Sequence, residues 1–177
     1  EPAEALALVR KYYGAIPRAP KPIPQVYTQE PPQTGPRRVT VKRAGAIGLL
    51  MKAYKGPHAR HPDMPALSVL GSVLSSGQNS RLSRGLVDKS LATYASAGMA
   101  PTHDPGLFVF RIALTPDVTH EQAEEALLAE IERVKNEGVT AEEVERVIQQ
   151  YRAGEAYLRD GTMGVASALN EAIAVGD

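Results

Sequence analysis

The sequence predicts an α+β domain: one antiparallel sheet with helices packed on one of its faces. Three observations predict it. Segments with alternating apolar residues come in two close pairs, each joined by a short turn. The segments between and after them carry apolar residues at helical spacing, two of them behind capping-box residues. A proline-dense stretch sets this pattern apart from a helix that opens the chain. The predicted order is α-ββααββααα, and short links within strand pairs favour antiparallel pairing.

The opening helix reads from EPAEALALVRKYYG, with Ala5, Leu8, Val9 and Tyr12 at helical spacing, Pro2 in the first turn and Gly14 at the stop. Residues 1–16 are expected to continue from a preceding domain. Residues 17–36 form a proline-rich linker arm, since each proline fixes φ and biases its predecessor toward extended backbone. Docking of this arm into a proline-binding domain is the alternative. Residues 37–177 are expected to form a single α+β domain.

Within that domain Arg37–Arg43 and Ala46–Lys55 read as strands turning at Ala44-Gly45, with Ile47, Leu49, Met51 and Ala53 on one face. Asp63 is placed to cap a helix whose stripe is Leu67, Leu70, Val73 and Leu74. Gly77 closes it, and Asn79 or Ser80 caps a second helix, RLSRGLVDK. Leu91–Ala100 and Leu107–Leu114 read as a hairpin across PTHDPG, with Phe108, Phe110, Ile112 and Leu114 facing one way. Thr119 with Gln122 opens a helix carrying Ala123, Leu127, Ile131 and Val134. Thr140 with Glu143 opens another, carrying Val144, Val147, Ile148 and Tyr151. A last, Ala-rich helix spans about Thr162 to Val175.

Twenty basic and twenty acidic residues cancel in this 177-residue chain, so no overall field draws it to nucleic acid or an anionic membrane. The absence of cysteine excludes disulfides, thiol catalysis and thiolate metal sites. No apolar run approaches the ~20 residues that span a bilayer. The chain starts without Met and stops just after a helix, which reads as a segment of a longer protein. Any address is expected in a region N-terminal to this segment, and bacterial periplasm and cytoplasm both stay open.

Few residues suggest chemistry. His58 and His61 sit in a loop between Pro57 and Pro62, with Asp63 the nearby carboxylate. A zinc site needs three or four supported ligands, so solvated loop histidines are the expectation. His120-Glu121 resembles half of a zincin motif, but Glu124 occupies the place of the second histidine. Carboxylates in a first helical turn are what the helix dipole favours. The acidic runs AEEALLAEIERVKNEG and AEEVERVIQQYR read as solvated faces with i,i+4 ion pairs. SSGQNS supplies hydroxyls without a nucleophile elbow, and the turn at Gly77 is too short to cradle a phosphate.

Several segments, taken in order, resemble the second, non-zinc-binding domain of an insulinase/pitrilysin-family metallopeptidase half-molecule. They are YYGAIP, EPPQTGPRRVTV, AYKGP, DMPALSVLGSVLSSGQNSRLSRGLVDKSLA, DPGLFVFRIAL and GVTAEEVERV. The resemblance spans nearly the whole chain. It implies two related α/β domains per half and two halves that close around a peptide. It also implies a zinc held by His-x-x-Glu-His and a distant glutamate in the first domain of the catalytic half. Nothing in this chain matches those residues, so no catalytic or metal residue is expected here. The non-catalytic half of such enzymes has an Arg and a Tyr seven residues apart that assist across the clamshell. Tyr94 falls at the Tyr position, but Val87 stands where the Arg belongs, and Arg81 and Arg84 are at the wrong helical phase. The remaining signature positions, Gly77, Ser80, Arg81 and Leu82, read as structural.

The resemblance thus implies a structural, chamber-lining domain of a zinc metalloendopeptidase, inactive by itself. Zn2+ is expected in the parent and no cofactor in this segment. Its implied partners are the preceding zinc-binding domain, a second half-molecule or partner subunit, and a peptide substrate, with no nucleic acid and no membrane span. The alternative is a degenerate scaffold of the same fold, as in core subunits of respiratory complexes. A free-standing module that binds peptides at a sheet edge is a third reading.

Overall fold

The computed structural model describes residues 1–22, 24 and 30–176. Part of the expected stiff arm, Ile23 and residues 25–29, lies outside the described residues. The chain separates into two units, Glu1–Lys42 and Arg43–Asp177.

In the first unit, helix α1 spans Pro2–Tyr13, with proline in its first turn as the sequence predicts. Gly14 ends it with a right-handed φ of −64° and donates its N–H to the Arg10 carbonyl. The apolar stripe of α1, including Leu8 and Tyr12, is exposed.

The expected strand Arg37–Arg43 is absent: these residues form no ladder, and Val39 is 84% exposed. Two valines between basic residues bury too little to hold an extended segment that lacks a neighbouring strand. The first strand, β1, is therefore single and starts later than predicted, at Leu49–Lys55.

The second unit is a three-stranded antiparallel sheet under a layer of helices. Strands β2 (Ala92–Gly98) and β3 (Leu107–Leu114) form the predicted hairpin, and β3 is central in the order β1-β3-β2. Helix α2 spans Met64–Ser75. Asp63 stands at its N-cap position without a side-chain cap; its N–H instead donates to His61 Nδ1 at 3.2 Å. Gly77, at φ 78°, makes the left-handed turn that stops the chain after α2.

The predicted helix RLSRGLVDK is a short helical turn of a different kind, π-helical over Ser83–Val87. Asp88 N–H donates to the Ser83 carbonyl and Leu91 N–H to that of Leu86, both five residues back. Periodicity over nine residues cannot separate that widened turn from an α-helix.

Helices α3 (His120–Glu137) and α4 (Ala141–Arg159) both open on the predicted capping boxes, and α5 spans Thr162–Val175. Leu74, Leu82, Leu86, Ala92, Phe108, Phe110, Ile112 and Leu127 make one buried cluster. The even positions of β3 supply its centre, since alternate strand residues face one side. Each such side chain stabilises by roughly 1.5–3 kcal/mol when fully buried. Helix α4 packs on α2 through Tyr151, whose hydroxyl lies 3.0 Å from Ser72 Oγ and donates to the Ser68 carbonyl.

Candidate functional site

The helices cover one face of the sheet, and the other face is open. Register defines its members. Leu49, Met51 and Ala53 on β1 pair with Ala113, Arg111 and Val109 on β3. Tyr94, Ser96 and Gly98 on β2 pair with the same three residues from the other side. Of the predicted stripe Ile47, Leu49, Met51 and Ala53, the last three share one face of β1, the face turned from the core, and Ile47 precedes the strand; Met51 is 56% exposed.

Tyr94 reaches this face through an irregularity. Ala92 pairs with Leu114, whereas Tyr94, two residues on, pairs with Ala113, one residue back. Thr93 is therefore the surplus residue of a β-bulge, and its hydroxyl donates to the Ala113 carbonyl at 3.3 Å. In a regular strand Ala92 and Tyr94 would share a face. The bulge leaves Ala92 in the core and turns Tyr94 out, 58% exposed.

Val87 goes the other way. It is half-buried at the end of the π-helical turn and packs against the core cluster. Val87 and Tyr94 are not brought together on the open face. The Arg84 guanidinium is not on the open face either: its Nη2 lies 3.9 Å from Glu143 Oε1, on the helix side.

Ser80, Arg81 and Leu82, just before this turn, are all buried. Ser80 is buried, and its Oγ accepts from the Ser83 N–H at 3.4 Å. Leu82 is fully buried in the core. Arg81 is buried and grips Glu143 with two hydrogen bonds, at 2.8 and 2.6 Å, while Nη2 also donates to the Gly138 carbonyl. The Arg81 guanidinium, with help from the Thr140 N–H, holds the Glu143 carboxyl well below the usual range, at about 2. Glu143 raises the Arg81 pKa in return. Sequence reading found Glu143 as a capping residue but missed its second role. A residue far away in sequence supplies the partner, and only an arginine in an otherwise buried run hinted at one.

The rings of His58 and His61 stand edge to face with centroids 5.9 Å apart, and His61 Nδ1 already accepts from Asp63. The loop carrying them is tied to the β2–β3 turn by hydrogen bonds from Gly56 to Gly106 and Ala59 to Thr102. His103 there stands 3.3 Å from Asp104 Oδ1. Among the described residues no three His, Asp or Glu side chains converge to hold a metal. Glu124, beside the zincin-like His120-Glu121, pairs with Lys52 at 3.1 Å. Among the described residues no helix is long and apolar enough to cross a membrane.

Comparison with known proteins gives this architecture a family. Residues 1–151 match the model of the Peptidase M16 inactive domain. The zinc protease PqqE of Helicobacter pylori is 32% identical over 129 residues, 72% of this chain and 29% of that protein. A crystal structure of a protease from Helicobacter pylori superposes with a TM-score of 0.90 at 26% identity, over 100% of this chain and 44% of that one. The inactive peptidase domain of a candidate zinc protease from Bordetella parapertussis gives 0.66 at 29% identity, covering 78% of this chain and 76% of its own. The chain therefore spans less than half the length of both Helicobacter pylori relatives.

Proposed function

Because this chain belongs to the Peptidase M16 inactive-domain family, we propose that it is the substrate-chamber domain of a zinc metalloendopeptidase and does not cleave peptides by itself. The bulge that turns Tyr94 onto the open, largely apolar sheet face carries this reading. A sheet whose helices cover one side has its other side free to line an enclosure, and extended peptide fits such a surface. Zinc belongs to the parent in this reading, on a domain that precedes the chain. The names of the Helicobacter pylori and Bordetella parapertussis relatives support it.

Val87, packed against the core cluster, offers no guanidinium seven residues before Tyr94. The chain's own contribution is then shape and orientation. The rigid helix layer, pinned by the Arg81–Glu143 pair, fixes the π-helical turn from which β2 departs. Elemental analysis and a quenched fluorescent peptide assay test the proposal on the isolated chain and on its parent. The isolated chain is expected to hold no stoichiometric zinc and cleave nothing. The parent is expected to hold about one zinc per catalytic domain and to cleave. A parent without zinc or activity would favour the scaffold alternative, and zinc-dependent cleavage by the isolated chain would refute the proposal.

A further inference from the structure

The open face also carries a guanidinium at its centre. Arg111 lies at the middle of β3, opposite Met51 on one side and Ser96 on the other. Tyr94 stands opposite Ala113, one same-face step along β3. Arg111 and Tyr94 are thus diagonal neighbours, with Cα atoms roughly 7–8 Å apart, a span that two long side chains can bridge onto one ligand.

Several cations of the helix-covered side are matched: Lys52 with Glu124 at 3.1 Å, Arg81 with Glu143 at 2.6 Å and Arg133 with Glu130 at 3.1 Å. Arg146, by contrast, keeps a buried Nε and Nη2 without a hydrogen-bond partner among the described residues. Arg111 is exposed and has no carboxylate partner among the described residues. Its neighbours on the face are Leu49, Met51, Val109 and Leu107, with Ser96 directly opposite and Lys55 at the far end of β1, opposite Leu107. An apolar platform with one guanidinium at its centre fits an apolar ligand with one negative group. Guanidinium and carboxylate match in planar, two-point geometry, and the phenol adds a third donor.

We propose that Arg111 and Tyr94 together take the side-chain carboxylate of an Asp or Glu within an apolar stretch of peptide lying on the open face. An internal residue fits better than a chain end. The apolar surface runs on past Arg111 in both directions along β3, to Leu107 and to Ala113, so the peptide has somewhere to continue. This inference rests on the chamber reading above and gives it a substrate preference.

The test is fluorescence anisotropy on the 177-residue chain with two labelled, C-terminally amidated peptides, Leu-Val-Glu-Phe-Leu and its Gln counterpart. The Glu peptide is expected to bind about fivefold tighter, the scale of one exposed charge pair. The gap should close in Arg111→Gln, narrow in Tyr94→Phe and shrink at high salt. Equal binding of the two peptides, or a gap that survives Arg111→Gln, would overturn this inference and leave the chamber reading standing. Failure of both peptides to bind would overturn both.

Discussion

Arg81 donates to both carboxylate oxygens of Glu143, from Nε to Oε1 at 2.8 Å and from Nη2 to Oε2 at 2.6 Å. The two residues lie 62 positions apart, so this one pair ties the segment before the π-helical turn to the first turn of α4. Both side chains are about nine-tenths buried.

Replacing Glu143 with Gln keeps a side chain suited to the capping box and removes only the charge. It leaves the Arg81 guanidinium buried without its counter-charge. The expected cost is about 3 kcal/mol in urea unfolding, in line with breaking buried pairs. A loss below ~1 kcal/mol would put this pair with surface ion pairs and remove it as the anchor of the turn.

The same carboxyl sets an acid limit. Its pKa falls from an ordinary 4.5 to about 2 on folding, chiefly through the Arg81 hydrogen bonds. A depressed folded pKa means the stabilisation is present above 4.5 and is lost as pH falls from there toward 2. Melting temperature should stay nearly level from neutrality to about pH 5 and then drop. The acid drop should be shallower in Glu143→Gln. Identical profiles for the two proteins would refute the assignment.

Gly85 sits where no side chain fits. A Cβ there would come within 2.7 Å of Glu130 Oε1 and 2.8 Å of its Cγ. Glu130 is buried and held by Arg133, so it has little room to yield. Gly85→Ala is expected to destabilise by about 1–3 kcal/mol, the range for overpacking. Chemical denaturation that matches the wild type would show that α3 can move aside.

Val87 and Tyr94 should separate by stability as they do by face. Val87→Ala removes packing against the core and should cost on the order of 1 kcal/mol. Tyr94→Ala, on the open face, should stay within about 0.5 kcal/mol. Thermal unfolding of the two variants reads this, and the reverse ranking would mean the faces are misassigned.

The elements that were legible in the sequence are those whose signals are local. The capping boxes at Thr119 and Thr140 are each set by residues three apart, and both form as read. The alternation Phe108, Phe110, Ile112, Leu114 identifies the buried side of β3 because one strand's pleat suffices. Arg37–Arg43 failed because alternation signals a strand only where a neighbour accepts its backbone, and no residue in the segment reports that. The stripe Leu49, Met51, Ala53 was seen, but sequence cannot tell an apolar face that meets helices from one left open. The Thr93 bulge was hidden too. One surplus residue reverses the parity of a strand, and Thr favours regular and bulged strands alike.

The most direct measurement is photo-crosslinking in the full-length protein proposed here. Benzoylphenylalanine would be placed at Met51, on the open face, or at Gln150, exposed on α4 of the helix layer. With a labelled apolar peptide, the account predicts transfer of label at position 51, competed by unlabelled peptide, and none at position 150. Equal labelling at both, or labelling at position 150 alone, would contradict the claim that the open face of this sheet meets the substrate.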